Sequence, residues 1–249
     1  MPEQWPYLSN APIIEAVIEF QFSVSDNVTI EMLQEIADAL KSDFPQQEEK
    51  RSSVIKAVIK SSGPETEVHD GGLVGISAKS LDDKNIVQLF RDRFSFSQLP
   101  PYQNWELLEE QAIKIWNIFL DKTKMESVNR VGVRFINKIE LDLPMDDFND
   151  YIVGAPVVPD GLPPFLGAFD MRLIIPNKDI EAVGIVNMSM SGLDKEKSLF
   201  PVILDVDVGK TGQMQSDEES LHQTLVDLRN YKNELFFRNI TDRVVRNYQ

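Results

Sequence analysis

Within RVGVRFIN, residues 130 to 137, two arginines and an asparagine interrupt an apolar run. A guanidinium presents a planar fork of donors that matches a carboxylate or a phosphate. Arg130 and Arg134, with Asn137 beside them, are therefore the first candidates for holding an anion. Strand alternation puts Arg130, Arg134 and Lys138 on one face with Gly132 and Ile136. Val131, Val133, Phe135 and Ile139 take the other, core face. Gly132 leaves a bare spot between the arginines that a ligand or a partner's backbone can approach. Arg91 and Arg93 read as a similar pair on another strand, among Phe90, Phe94 and Phe96, and Arg172 adds to the set. If these strands are neighbours, a positive patch lies on the exposed face of the sheet. The competing role is structural: the arginines pair across adjacent strands with Glu15, Glu19, Glu140 or Asp170.

Other chemistries find less support. His69 reads as part of a surface turn beside Asp70, and His222 as a helix residue bonded to the sheet. No nucleophile elbow accompanies either. DVGKTG, residues 207 to 212, has the look of a phosphate loop, but the position where such a loop needs its first glycine is Leu204, inside a strand. The chain has no cysteine, which excludes disulfides, thiolate catalysis and Cys-ligated metal. Asp205 and Asp207 share one strand face, and Asp146, Asp147 and Asp150 cluster in MDDFND, but neither group has the spacing of a calcium loop. The expectation is a protein without catalytic residues, metal or cofactor.

The elements that must position these residues follow from periodicity. PIIEAVIEFQF alternates as a strand, with Ile14, Ala16, Ile18, Phe20 and Phe22 on one face. TIEMLQEIADAL has helical spacing. SSVIKAVIKSS and GGLVGISAKS read as strands separated by a turn-rich stretch with Gly63, Pro64, Gly71 and Gly72. NIVQLFRDRFSFSQL reads as one strand, or as two with a tight bend. A long helix starts near Asn104, with Trp105, Leu108, Ala112, Ile115 and Phe119 as its stripe. VNRVGVRFINKIELDL then opens a second series: a short helix in PMDDFNDYI, the loop GAPVVPDGLPPFLG, three strands, and a long C-terminal helix striped by Leu221, Leu225, Leu228 and Leu235. Ser216 and Glu219 stand at capping-box spacing at its start.

Each half thus reads strand, helix, strands, long helix, over residues 1–125 and 126–249. The expected fold class is α+β: a curved antiparallel sheet with the long helices on one face, the two halves forming one compact unit. The element order resembles that of the TATA-binding protein repeats. A helix-grip sheet wrapping a long helix is the competing architecture.

Three segments together resemble a sporadically distributed bacterial family of unknown function. They carry Asn10, Ala11, Pro12, Ile13, Glu15 and Ala16; then Arg130, Gly132, Arg134 and Asn137; then His222, Phe236, Phe237, Ile240 and Thr241. The resemblance implies a bacterial accessory protein and supplies no catalytic residue.

Composition narrows the partners. The 249 residues carry a net charge of −15, which repels phosphate backbones and favours a basic protein partner over nucleic acid. No run is long and apolar enough to span a membrane, and MPEQWPYLSNAP lacks the basic and apolar regions of a secretory signal. The expected location is the cytoplasm. Self-association through the apolar, proline-rich GAPVVPDGLPPFLG loop would make a homo-oligomer. The leading expectation is a non-enzymatic protein-interaction module of an antitoxin, immunity or defence type of system. The alternative is a small-molecule or anionic-ligand binder that uses the arginine face.

Overall fold

Strand β1, Ile13–Gln21, sets the polarity of the sheet. Ala16, Ile18 and Phe20 are fully buried, while Glu15, Val17 and Glu19 on the other face stay partly exposed. A bulge between Ile13 and Glu15 resets the alternation, so Ile14, which simple alternation places inward, is 37% exposed. The computed structural model describes residues 5–24, 28–60, 63–145, 147–163, 166–194 and 199–249.

β1 lies in the interior of the sheet, between β5, Arg93–Gln98, and β6, Ser127–Asp142, and is antiparallel to both. The remaining strands are β2, Gln46–Lys60; β3, Gly63–Lys79; β4, Asn85–Phe90; β7, Phe169–Asn177; β8, Ala182–Met190; and β9, Leu199–Gln215. All nine form one curved, unclosed antiparallel sheet in the order β2-β3-β4-β5-β1-β6-β9-β8-β7. In the first series the last strand, β5, returns beside the first, β1. In the second, β9 returns beside β6. The fold is α+β.

Helices α1, Ile30–Ala39, and α2, Trp105–Thr123, pack with the first series, and α3, Glu218–Arg238, packs on β6, β8 and β9. All three cover the face that carries Ile18, Phe20, Phe94, Val133 and Val206. Asn104 caps α2 by accepting from the Leu107 N–H at 2.8 Å, and Lys124 ends it in the left-handed region, with φ of 51°. Trp116 of α2 is fully buried. It stacks on Phe119 and tilts against Phe20 and Phe94, and its indole N–H donates to the Ser216 carbonyl at 2.9 Å. None of the helices among the described residues is long and apolar enough to cross a membrane.

Several local expectations change. The run around Arg91 is two strands joined by a tight turn, so Arg91 lies in the turn and not on a strand. His69 lies within β3, opposite Val54, and Gly71 and Gly72 sit inside the same strand beside a register shift at Ser52 and Ser53. Gly72 absorbs that irregularity with φ of 88°. Asp217, not Ser216, caps α3, accepting from the Ser220 N–H at 3.0 Å. Ser216 is held outside the helix because its hydroxyl donates to the Met125 carbonyl at 2.6 Å and Trp116 takes its own carbonyl. The C-terminal run is two helices. α3 stops where Thr241 bonds back to the carbonyls of Asp150 and Tyr151, and α4, Asp242–Tyr248, follows.

Candidate functional site

The face of the sheet opposite α1, α2 and α3 carries Arg130 and Arg134 at its centre, and it closes the charge of these two internally. β9 lies beside β6, which brings Asp207 opposite Arg134 and Asp205 opposite Ile136. Arg130 donates to Glu19 at 2.9 Å and to Asp207 at 2.7 Å. Arg134 forks onto both carboxylate oxygens of Asp205 at 2.8 and 2.9 Å. Asn187 of β8 adds a third bond to Asp205 at 3.0 Å. These bonds raise the Arg134 guanidinium above its ordinary value, with the hydrogen bond to Asp205 as the main cause.

The expected bare spot at Gly132 is filled by the chain itself. The Arg130 guanidinium lies where a Cβ at Gly132 or Gly209 would stand. Glycine at these two positions lets the fork lie flat on the sheet between Glu19 and Asp207. The Asp205 and Asp207 pair is thereby explained as two arginine partners and not as a metal pair. DVGKTG runs through the extended β9 and forms no phosphate cradle. Asp147 caps a single 3₁₀ turn, accepting from the Asn149 N–H at 2.8 Å, while Asp146 lies outside the described residues. Among the described residues no three acidic or histidine side chains converge as a metal-binding group.

The other predicted site residues fall apart into separate places. Arg93 lies level with Arg130 across Gln21, and its guanidinium stacks over Phe90 at 4.3 Å. Arg91 donates to the Val28 carbonyl at 3.3 Å. Arg172 is exposed on β7, opposite Asn187. Asn137 points the other way. It is 2% exposed on the core face and donates to the carbonyls of Leu204 and Phe135. Strand parity separates it from Arg130 and Arg134. His222 contacts Glu109 of α2 at 2.8 Å, a helix-to-helix contact where a helix-to-sheet bond was expected.

Asn137 instead lines an open cavity of about 270 Å³ on the helix side, bordered by the N-terminal segment, the start of α2, β6 and α3. Tyr102, Trp105 and Phe135 make one wall, with Tyr102 edge-on to Phe135 at 5.4 Å. Trp5 stacks on Phe237 at 5.1 Å and brings the N-terminal segment over the cavity. That segment is clipped to the C-terminus: Asn10 donates its N–H to the Tyr248 carbonyl at 3.1 Å, and the Ser9 hydroxyl donates to the Gln249 carbonyl.

Two cations of α3 enter this aromatic site. Arg229 pairs with Glu106 at 3.1 Å and lies over Trp105 at 5.5 Å. The Lys232 ammonium sits 3.8 Å from the centre of the Phe135 ring and donates to the Asn233 amide oxygen at 2.6 Å. Loss of water pushes Lys232 down to about 7, and the Arg229 charge adds to that push. Burial pushes the Tyr102 phenol up, so it stays protonated.

Sequence reasoning missed this site, although one signal was present. The buried stripe of α3 runs Leu221, Leu225, Leu228, Leu235, and position 232 completes its spacing with a lysine. Of the motif residues, Ala11, Pro12, Ile13, Asn137, Phe236 and Phe237 all line the cavity. Comparison of the chain with models of protein families gives no match, and comparison with curated proteins gives none either.

Proposed function

We propose that the protein is a non-enzymatic interaction module of a bacterial accessory system, of the antitoxin, immunity or defence type, that receives a folded partner across the open face of its sheet. The observation that carries this reading is the state of that face. Its central charges, Arg130 and Arg134, are already paired, so a partner can cover them without stranding either guanidinium. Beside the pairs, Ile174 is 63% exposed, its neighbour Ile185 is half-buried, and Val183 is exposed, which supplies apolar contact area on β7 and β8. The net charge of −15 favours a basic partner and speeds its approach. The three motif segments support the accessory-system setting.

Native mass spectrometry of the tagged protein, gently purified from its own host, tests this. The expected result is a stoichiometric second polypeptide that the Ile174→Glu/Ile185→Glu variant loses while keeping its melting temperature. Recovery of only the bare chain or a homo-oligomer, or undiminished capture by the variant, overturns the docking face.

A further inference from the structure

We infer that the cavity between the N-terminal segment, α2 and α3 is a binding site for a small aromatic carboxylate, held by Lys232 and Arg229 against the Tyr102, Trp105 and Phe135 wall. This site lies on the helix side of the sheet and stands or falls independently of the open face.

Charge selects the ligand's sign. Lys232 has no carboxylate partner among the described residues; its neighbours are a ring face, an amide oxygen and Arg229. A desolvated ammonium in that state is costly, and a bound carboxylate would complete it with a charge-assisted hydrogen bond. Scarcity of acid is not the reason, since the chain has 40 acidic residues against 25 basic ones. The titratable and charged groups that line the cavity, among the described residues, are Arg229 and Lys232 from α3, Glu106 from α2, Tyr102 from the segment before α2, and Tyr7 from the N-terminal segment. Glu106 answers Arg229, which leaves one positive charge for a monoanion.

Shape and walls select the body. A cavity of about 270 Å³ falls just below the roughly 300–1,000 Å³ of drug-sized pockets, which suits one ring system with a short acid arm. Aromatic walls on several sides favour a planar apolar body through edge-on and stacked contact. The Tyr102 phenol makes no hydrogen bond among the described residues and remains a donor for a second carboxylate oxygen.

Calorimetric titration of the full chain with phenylacetate, its neutral isostere phenylacetamide, and acetate tests the inference. At pH 6, phenylacetate is expected to bind at least tenfold more tightly than either of the others. Its affinity should fall at least tenfold between pH 6 and pH 9, as Lys232 loses its proton. Lys232→Met should bind at least tenfold more weakly and lose the pH dependence. Phenylacetamide binding as well as phenylacetate removes the role of the charge; acetate binding as well removes the role of the walls. No binding of phenylacetate at millimolar concentration, or unchanged binding by Lys232→Met, overturns the site. The three-ligand comparison on the wild-type chain decides the matter even if the variant does not fold.

Discussion

Lys232 and Arg134 are both cations on elements at the middle of the molecule, and their surroundings are opposite. Arg134 projects from β6 onto an open face, partly in water, and is answered twice by Asp205. Lys232 projects from α3 toward a cavity walled by rings, and no carboxylate among the described residues answers it. The difference lies in what the neighbouring element brings. β9 alternates Asp205, Asp207 and Gly209 on the arginine side, so it delivers acid and clearance at the spacing of β6. Around Lys232 the neighbours bring Phe135, Tyr102 and Trp105. Charge that is closed within the fold is scaffold, while charge left open in a ring-walled pocket is available to a ligand.

The largest effect that would sharpen this contrast is the pH dependence of stability. Burial pushes Lys232 down to about 7 in the folded protein, against an ordinary 10.5 when unfolded. Between those values the unfolded chain binds one more proton than the folded one. Stability therefore rises with pH across that window, by about 1.4 kcal/mol per unit from this group. Urea unfolding at pH 7.5 and 9.5 should show the wild type gaining on Lys232→Met by that slope. Equal gains for the two proteins would mean that the ammonium is hydrated, and the contrast with Arg134 would collapse.

The next effect belongs to the paired side. Removing the Arg134 fork leaves Asp205, 6% exposed, with Asn187 as its remaining side-chain partner. Arg134→Met should therefore destabilise the fold by about 2 kcal/mol, the scale for a buried charged group left short of partners. Adding Asp205→Asn should recover most of that loss, because the uncompensated charge goes with it. A single variant as stable as wild type would place Arg134 among the free cations and return the open face to the list of anion sites.

Much of the scaffold was legible from the chain because two periods dominate it. The alternation of residues 127 to 142 and the stripe of α2 each locate a core face, and element succession yields the antiparallel α+β plan. The partners of the arginines were only partly legible. Glu19 stands among the acids expected from strand pairing, but Asp205 and Asp207 are some 70 residues downstream of their arginines, and only the return of β9 beside β6 selects them. Sequence proximity groups Asn137 with Arg134, whereas three positions along a strand reverse the face. The cavity is made by segments from both ends of the chain, so no local pattern encodes it. Its one trace is the lysine that interrupts the apolar stripe of α3.

The smallest effect tests whether Arg130 is truly seated. A Cβ built on Gly209 lies 2.7 Å from Nε and Nη2 of Arg130, closer than unbonded atoms sit. Gly209→Ala should therefore push the fork off Glu19 and Asp207 and cost about 1 kcal/mol, in the range of coupling between side chains in contact. In an Arg130→Met background the same substitution should cost nothing or stabilise slightly, since alanine loses less backbone freedom on folding than glycine. The sign change between backgrounds, read from urea midpoints of the four proteins, is the signature of a guanidinium lying over the glycine. Equal effects in both backgrounds would mean that Arg130 extends into solvent. The centre of the open face would then carry an unseated cation, and the division between closed charge at the middle of the sheet and open charge in the cavity would fail at its weakest member.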